Sequence, residues 1–314
     1  MSQRATYFQN LDNLRDDGAR IYYHDETWCN VGEEKRSIWL SDRGEGRLRK
    51  GDGKGKRIAI SAIVSEQGLD KHTVDIFRCD EEHAMNSNHF IEWLHKTAAH
   101  LRICHPEPTR ICIIIDNATW HCELCDDVKP PNRSWRKDSV KQWLQQRKIK
   151  FDRLMTKAQL LELAFANVPP KKFKSNTVAS QFNVEILRLP IKHCMLNPIE
   201  LVWASLKEYV RKYNTSFRLS DVEVLSREFI DTVDANSCRK YIEHARKVEQ
   251  DFRTADALVE EVIEPDLVSS DSEGNEDQDE DQDQEEDQDE DEDQDEDEDQ
   301  DQEEDQDFEN MDDA

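Results

Sequence analysis

Three carboxylates stand where strand-like or helical segments begin or end, and oxygen ligands placed that way can share a hard divalent cation. Asp25 follows the short aromatic run Ile21–His24, and Asp116 follows the most apolar run of the chain, Arg110–Ile115. Glu200 falls in the first turn of a helix entered through Pro198. If the strands before Asp25 and Asp116 are neighbours, the two side chains lie side by side, and Glu200 is carried over them by its helix. Such a donor set suits Mg2+ or Mn2+. Two ions roughly 3.5–4 Å apart can activate a water or a 3′-hydroxyl and stabilise the leaving oxygen of a phosphodiester. Taken singly, each acid also has a plainer role: an Asp after a strand starts turns, and Asn197-Pro198-Ile199-Glu200 reads as a helix cap.

The elements that must position these acids follow from apolar periodicity. Ile21–His24, Ser37–Leu40 and Arg57–Val64 read as strands of an antiparallel start. Between the last two, the loop Arg47–Arg57 interleaves Gly51, Gly53 and Gly55 with Lys50, Lys54 and Lys56. It can bring positive charge close to a phosphate backbone, or it is simply a hairpin tip. Past the cap residues Asn86–Asn88, the stripe Phe90, Leu94, Ala98 and Leu101 marks an amphipathic helix. Strand Val184–Leu189 leads to a second helical stripe, Ile199, Trp203, Leu206 and Val210. Ser220 with Glu223 reads as a capping box, and Tyr241, Ala245, Val248 and Phe252 form a last stripe. The order is β-β-β-α-β, an insertion, then β-α.

Charge divides the chain. Of its 70 acidic residues, 29 lie between Asp271 and Ala314, a stretch with no Lys or Arg and Phe308 as its one aromatic. That tail, taken as 261–314, cannot build a core and is expected to be disordered, as a solubilising end or a binding arm for basic proteins such as histones. The 41 remaining acids face all 42 basic residues, so positions 1–270 carry about +1 and the whole-chain pI of 4.7 does not describe them. The eight cysteines are scattered and no secretory pattern precedes them, which favours a reducing compartment. No apolar run approaches the roughly eighteen residues of a membrane span, so no membrane partner is expected.

The residues flanking the acids narrow the chemistry. They are His24-Asp25-Glu26-Thr27-Trp28, Ile113-Ile114-Ile115-Asp116-Asn117-Ala118, and Leu196-Asn197-Pro198-Ile199-Glu200 followed by Trp203. These closely resemble the catalytic motifs of mariner-like transposases with the DDE signature, over about residues 15 to 255. The resemblance implies an α/β fold: an RNase H-like mixed sheet flanked by helices. It also implies two divalent ions held by Asp25, Asp116 and Glu200, double-stranded DNA as substrate, hydrolytic cleavage at transposon ends, and strand transfer. Asn117, His121 and Asn197 are the supporting residues of the motifs. His121 matches a histidine of the family's second motif and positions the site or contacts DNA, unless it is a plain polar residue at a helix start. A homo-oligomer on DNA and a nuclear location accompany this reading.

The sequence departs from that family in two places. In the family the second and third acids lie much closer, whereas here 83 residues separate Asp116 from Glu200. The insertion, 120–180 within a catalytic domain of 19–260, holds Ser139–Leu144 and Thr156–Leu161 as two short helices joined by a basic linker. That pair, at about 139–166, resembles a SAP-type DNA-binding module. Arg136, Lys137 and Lys141, with Arg133, Arg147, Lys148 and Lys150, give it a basic surface for phosphates, and Lys50, Lys54, Lys56 and Arg57 give the glycine-rich loop another. The second departure is the short lead-in of 1–18, where the family carries helix-turn-helix domains, so recognition of transposon ends is expected to be missing. The alternative function is a domesticated, inactive DNA-binding nuclear protein. Cys122 and Cys125, beside His121 and with His193 and Cys194 across the insertion, form a candidate zinc set; otherwise they are small buried hydrophobes.

Overall fold

A computed structural model describes residues 3–32, 56–79 and 84–258, all inside the compact unit Met1–Glu261. The expected strand Ser37–Leu40, the loop lysines Lys50 and Lys54, and the acidic tail lie outside the described residues.

Helix α1 (Gln3–Asp16) precedes strand β1 (Arg20–Asn30). Strands β2 (Arg57–Ser65), β3 (Gly68–Leu69) and β4 (Asp75–Cys79) follow, then helix α2 (Ser87–Cys104) and strand β5 (Ile111–Ile115). Three helices, α3 (Lys137–Gln146), α4 (Lys157–Phe165) and α5 (Lys174–Ser180), come before strand β6 (Val184–Arg188). Helices α6 (Ile199–Tyr213), α7 (Leu219–Thr232) and α8 (Ala235–Leu258) complete the order. The strands form one mixed sheet in the order β3-β2-β1-β5-β6, with β4 also paired to β2. β2 runs antiparallel to β1, while β5 is parallel to both β1 and β6. This is the helix-flanked mixed sheet that the motifs imply.

β5 is central and covered on both faces, which is why its sequence is a continuous apolar run rather than an alternation. All five of its residues are fully buried. Cys112 and Ile114 join the core that α1, α6, α7 and α8 build on one face, while Ile111, Ile113 and Ile115 join Phe90, Trp93, Leu94, Ala98 and Leu101 of α2 on the other. Each buried isoleucine contributes roughly 1.5–3 kcal/mol relative to exposure, so a charge at Ile113 would unfold the sheet. α2 begins at Asn86, whose side chain accepts the backbone N–H of His89 at 3.0 Å.

Three expectations change. β1 does not stop at His24: Thr27, Trp28 and Cys29 continue it to Asn30 because β2 supplies partners along the whole length, so Asp25 lies within the strand. Ser220 is inside α7, with its hydroxyl on Asp221, and makes no capping box with Glu223; Arg218 holds the cap position. In α8 the buried seam is Cys238, Ile242, Ala245 and Glu249, with Tyr241, Val248 and Phe252 packed at its flank. The seam is turned because Glu249, a residue that periodicity reads as surface, is buried against Arg15 of α1 with both oxygens at 2.9 Å.

The insertion contains the two expected helices. Thr156 and Gln159 form a reciprocal capping box at α4. Val140, Trp143, Leu144, Leu160 and Ala164 give α3 and α4 a small core of their own.

Candidate metal centre

β1 carries the first acid between two partners. Asp25 stands opposite Ala62 of β2, and the parallel register with β5 pairs Tyr22 with Ile113 and Tyr23 with Ile114. Continued by two residues, that register sets Asp25 beside Asp116, at the point where the chain leaves β5. The side-by-side placement expected of the two aspartates is therefore what the topology builds, although Asp25 sits inside its strand and Asp116 just past the end of its own.

The third acid is delivered by α6. Asn197 does not cap that helix: no side-chain cap bond is made at its start, and the Asn197 amide instead donates to the carbonyl of His24 at 2.9 Å. The helix entry is thus tied to β1 one residue before Asp25, with Glu200 in the first turn. Asn197 is buried, and its Oδ1 has no partner.

Electrostatics shows that the three acids share one field. Asp25 is held well above the ordinary carboxylate range, chiefly by burial, then by the charges of Glu200, Glu26 and Asp116. Glu200 is also raised, by burial and by Asp116, with Lys207 opposing. Asp116 goes the other way: burial acts to raise it, but the hydrogen bond and charge of His121 and the N–H of Ala118 outweigh that and lower it. Neither Asp25 nor Glu200 makes a salt bridge among the described residues. Asp25 and Glu200, partly buried acids outside any ion pair among the described residues, are oxygen donors of the kind a hard divalent ion satisfies, and together with Asp116 they fit Mg2+ or Mn2+. Their oxygens do not close within 4.8 Å of one another; among the described residues, the set that does is His24, Glu26 and His121.

That second set lies on the other face of β1, as a strand's period of two requires for residues either side of Asp25. Glu26 Oε1 accepts from Trp120 Nε1 at 3.3 Å and lies 3.1 Å from His121 Nε2 and 3.2 Å from His24 Nε2. His24 Nδ1 is 3.0 Å from the carbonyl of Ala62, and its ring stacks on Trp93 at 4.1 Å. His121 Nδ1 meets Asp116 Oδ1 at 2.5 Å. Both nitrogens of His121 face carboxylate oxygens, which only accept, so the ring is an imidazolium donating to both. It is held up at about 9: burial pushes it down, but Asp116 and Glu26 more than compensate. Glu26 falls below its usual range because the two histidines outweigh its own burial. With both ring nitrogens of His121 engaged, this buried set does not fit a cation.

The supporting residues have distinct places. Asn117 donates to the carbonyl of Leu189 at 2.7 Å, stapling the ends of β5 and β6. His121 is fully buried, with its Nδ1 on Asp116 Oδ1. Ser175 and Arg188 hold its carbonyl at 2.9 and 3.1 Å. Asp116 Oδ1 also accepts the N–H of Ala118 at 3.0 Å, so the turn-starting role and the site role coexist in one residue. Glu26 and His24 are the residues that reading the motif for its central acid alone missed; alternation along β1 was the signal for them. Of the basic residues, Lys56 is exposed and Arg57 lies over the Trp28 ring at 5.7 Å, where β2 meets the end of β1. Arg136 is exposed at the start of α3, Lys137 opens that helix, and Lys141 lies 3.7 Å from Asp138. The cysteines do not assemble: Cys125 contacts Thr177 at 3.4 Å, His193 contacts Arg4 and Ile191, and no zinc set forms among the described residues.

Comparison with known proteins places this geometry. Residues 20–129 match the sequence family described as DDE superfamily endonuclease. No curated protein gave a significant match to the sequence. Among solved structures, the chain is similar to the Mos1 transposase paired-end complex with left transposon end, at 15% identity and a TM-score of 0.50, covering 79% of this chain and 58% of that one. It is similar to the Mos1 mariner paired end complex with Mn at 14% identity and a TM-score of 0.51, covering 79% and 60%. It is also similar to a pre-cleavage Mos1 transpososome at 15% identity and 0.50, covering 87% and 62%. The chain therefore spans about three fifths of the length of those transposases. Asp25, Asp116 and the buried network all fall in the segment that is similar to the DDE superfamily endonuclease family, and the chain shares the fold of the Mos1 mariner transposase structures.

Proposed function

We propose that this domain is a metal-dependent DNA endonuclease of the transposase type, with Asp25, Asp116 and Glu200 as its metal ligands. What supports the reading is that Asp25 and Asp116 come from two parallel strands and Glu200 from the helix that Asn197 ties to β1, with Asp25 and Glu200 both raised by burial and by neighbouring acids. Mg2+ or Mn2+, two ions by the chemistry of the family, would supply there a polarised water or 3′-hydroxyl and stabilisation of the leaving oxygen. His121 fixes one oxygen of Asp116, Asn197 fixes the approach of α6, and Asn117 holds the strand ends together.

The Mos1 structures, named as paired-end complexes and in one case with the left transposon end, support DNA as the partner of this chain, which on this reading acts on duplex DNA as a homo-oligomer. Lys56, Arg57 and the exposed arginine and lysines at the start of α3 supply phosphate contacts on this reading. The nucleus is the compartment that a DNA substrate and free cysteines suit, and the acidic tail engages basic proteins such as histones. The test is nicking and strand transfer on duplex DNA in Mg2+ or Mn2+, beside Asp116→Asn. Metal-dependent nicking lost in the variant supports the reading. Binding without cleavage by either protein makes the chain the inactive, domesticated form instead.

A further inference from the structure

Glu26 is not among the three proposed ligands, yet it is buried, negatively charged and adjacent in sequence to Asp25. Isolated buried charges are expensive and persist only when paired. Glu26 spends its charge on the far side of the sheet, where one oxygen gathers Trp120, His24 and His121. His24 passes the contacts on to the carbonyl of Ala62, and His121 passes them on to Asp116 Oδ1. Around this chain the surroundings are rigid. His24 stacks on Trp93 with Phe90 beside it, His121 packs on Phe90 at 4.2 Å, and the His121 carbonyl is held by Ser175 and Arg188.

We infer that Glu26 is a positioning residue for metal binding, acting across the sheet through His121 to fix the carboxylate of Asp116. His121 and the Ala118 N–H occupy Oδ1 together, so the side chain has one orientation and its other oxygen is left for the cation. Without the Glu26 carboxylate, nothing aims the ring: His121 Nε2 would lose its acceptor in a fully buried place, and the ring would turn or drop its second proton. Partners of this kind behind a metal ligand typically change metal affinity by roughly 10–100-fold. The inference rests on the reading of Asp116 as a ligand.

The experiment is a double-mutant cycle on the full chain, with Mn2+ binding followed by calorimetry and folding followed by thermal melting. Glu26→Gln is expected to weaken Mn2+ about tenfold or more while the protein still melts cooperatively. In the Asp116→Asn background the same change is expected to do nothing further, because its effect passes through Asp116. Wild-type Mn2+ affinity in Glu26→Gln overturns the inference alone, as does an equal loss in both backgrounds. Unchanged Mn2+ binding in Asp116→Asn overturns the metal site itself and the inference with it. Should Glu26→Gln not fold, His121→Gln cuts the same connection at its other end, and additivity with Asp116→Asn then overturns the inference.

Discussion

The side chain of Asn197 and the main chain of His24 join the helix of the third acid to the strand of the first. The bond is 2.9 Å long, buried, and separated by 173 residues in sequence. It fixes where α6 meets β1, and therefore where Glu200 stands relative to Asp25. Asn197→Ala would leave the His24 carbonyl without its donor, at a cost of roughly 1–3 kcal/mol. Urea unfolding should show that loss, and an unchanged midpoint would remove the bond from any part in the site.

Asp25 should oppose folding at neutral pH in the absence of divalent ions. Its folded-state pKa is raised, so the stability it contributes is present below the ordinary carboxylate range and is lost as pH rises through the raised value. Asp25→Asn is therefore expected to melt higher than the parent at neutral pH without metal. It should also gain little from Mn2+, whereas the parent gains about 2.7 kcal/mol at a hundred times its dissociation constant. A variant that melts lower than the parent would contradict this.

His121 titrates with the opposite sign. Its value is raised from the ordinary 6.5 to about 9, so its contribution is complete below about pH 6.5 and disappears as pH climbs through about 9. The amplitude is up to about 3 kcal/mol, since each tenfold gain in proton affinity is worth about 1.4 kcal/mol, and it is the same coupling felt by Glu26 and Asp116, not an addition to theirs. Unfolding free energies between pH 6 and 9.5 should fall for the parent and stay flatter for His121→Gln.

Trp143 should govern the insertion and little else. It is buried in the small core of α3 and α4, and its indole N–H donates to the carbonyl of Lys129 at 2.9 Å. Trp143→Ala removes a large part of that core, with a loss of roughly 3–5 kcal/mol. Hydrogen exchange should rise across residues 137–165 while Mn2+ affinity holds; protection throughout would show that the pair does not depend on this residue.

Glu249 is the analogous test for the closing helix. Its carboxylate receives both Arg15 and Arg253 and lies mostly out of solvent. Glu249→Ala strands Arg15, and breaking a buried pair from one side costs roughly 3–5 kcal/mol. Loss of α8 packing in near-ultraviolet dichroism, ahead of the sheet, would be its signature.

Much of this was legible in the residues. Continuous burial of β5 follows from Ile111–Ile115, and the face of α6 from Ile199, Trp203, Leu206 and Val210, because each pattern has a single period that fits. The extent of β1 was not, since Thr27–Asn30 become strand through pairing with β2, a contact made some thirty residues away. Ser220 misled because its local chemistry suggests a cap, whereas α7 already starts before it, with Arg218 at the cap position. The acids stood out through their flanks, while the contacts of Glu26 and His24 depend on which face of a strand each neighbour takes.

That alternation makes β1 intolerant of length change. Asp25 and Glu26 are consecutive, yet they point to opposite faces of the strand, Glu26 to the buried histidines. Slipping the strand by a single residue would exchange them, burying an aspartate too short to span to His121 and presenting a glutamate among the ligands. Insertion of one residue between Arg20 and Asp25 would thus take Asp25 away from Asp116 as completely as removing the acid, while leaving every side chain in the chain.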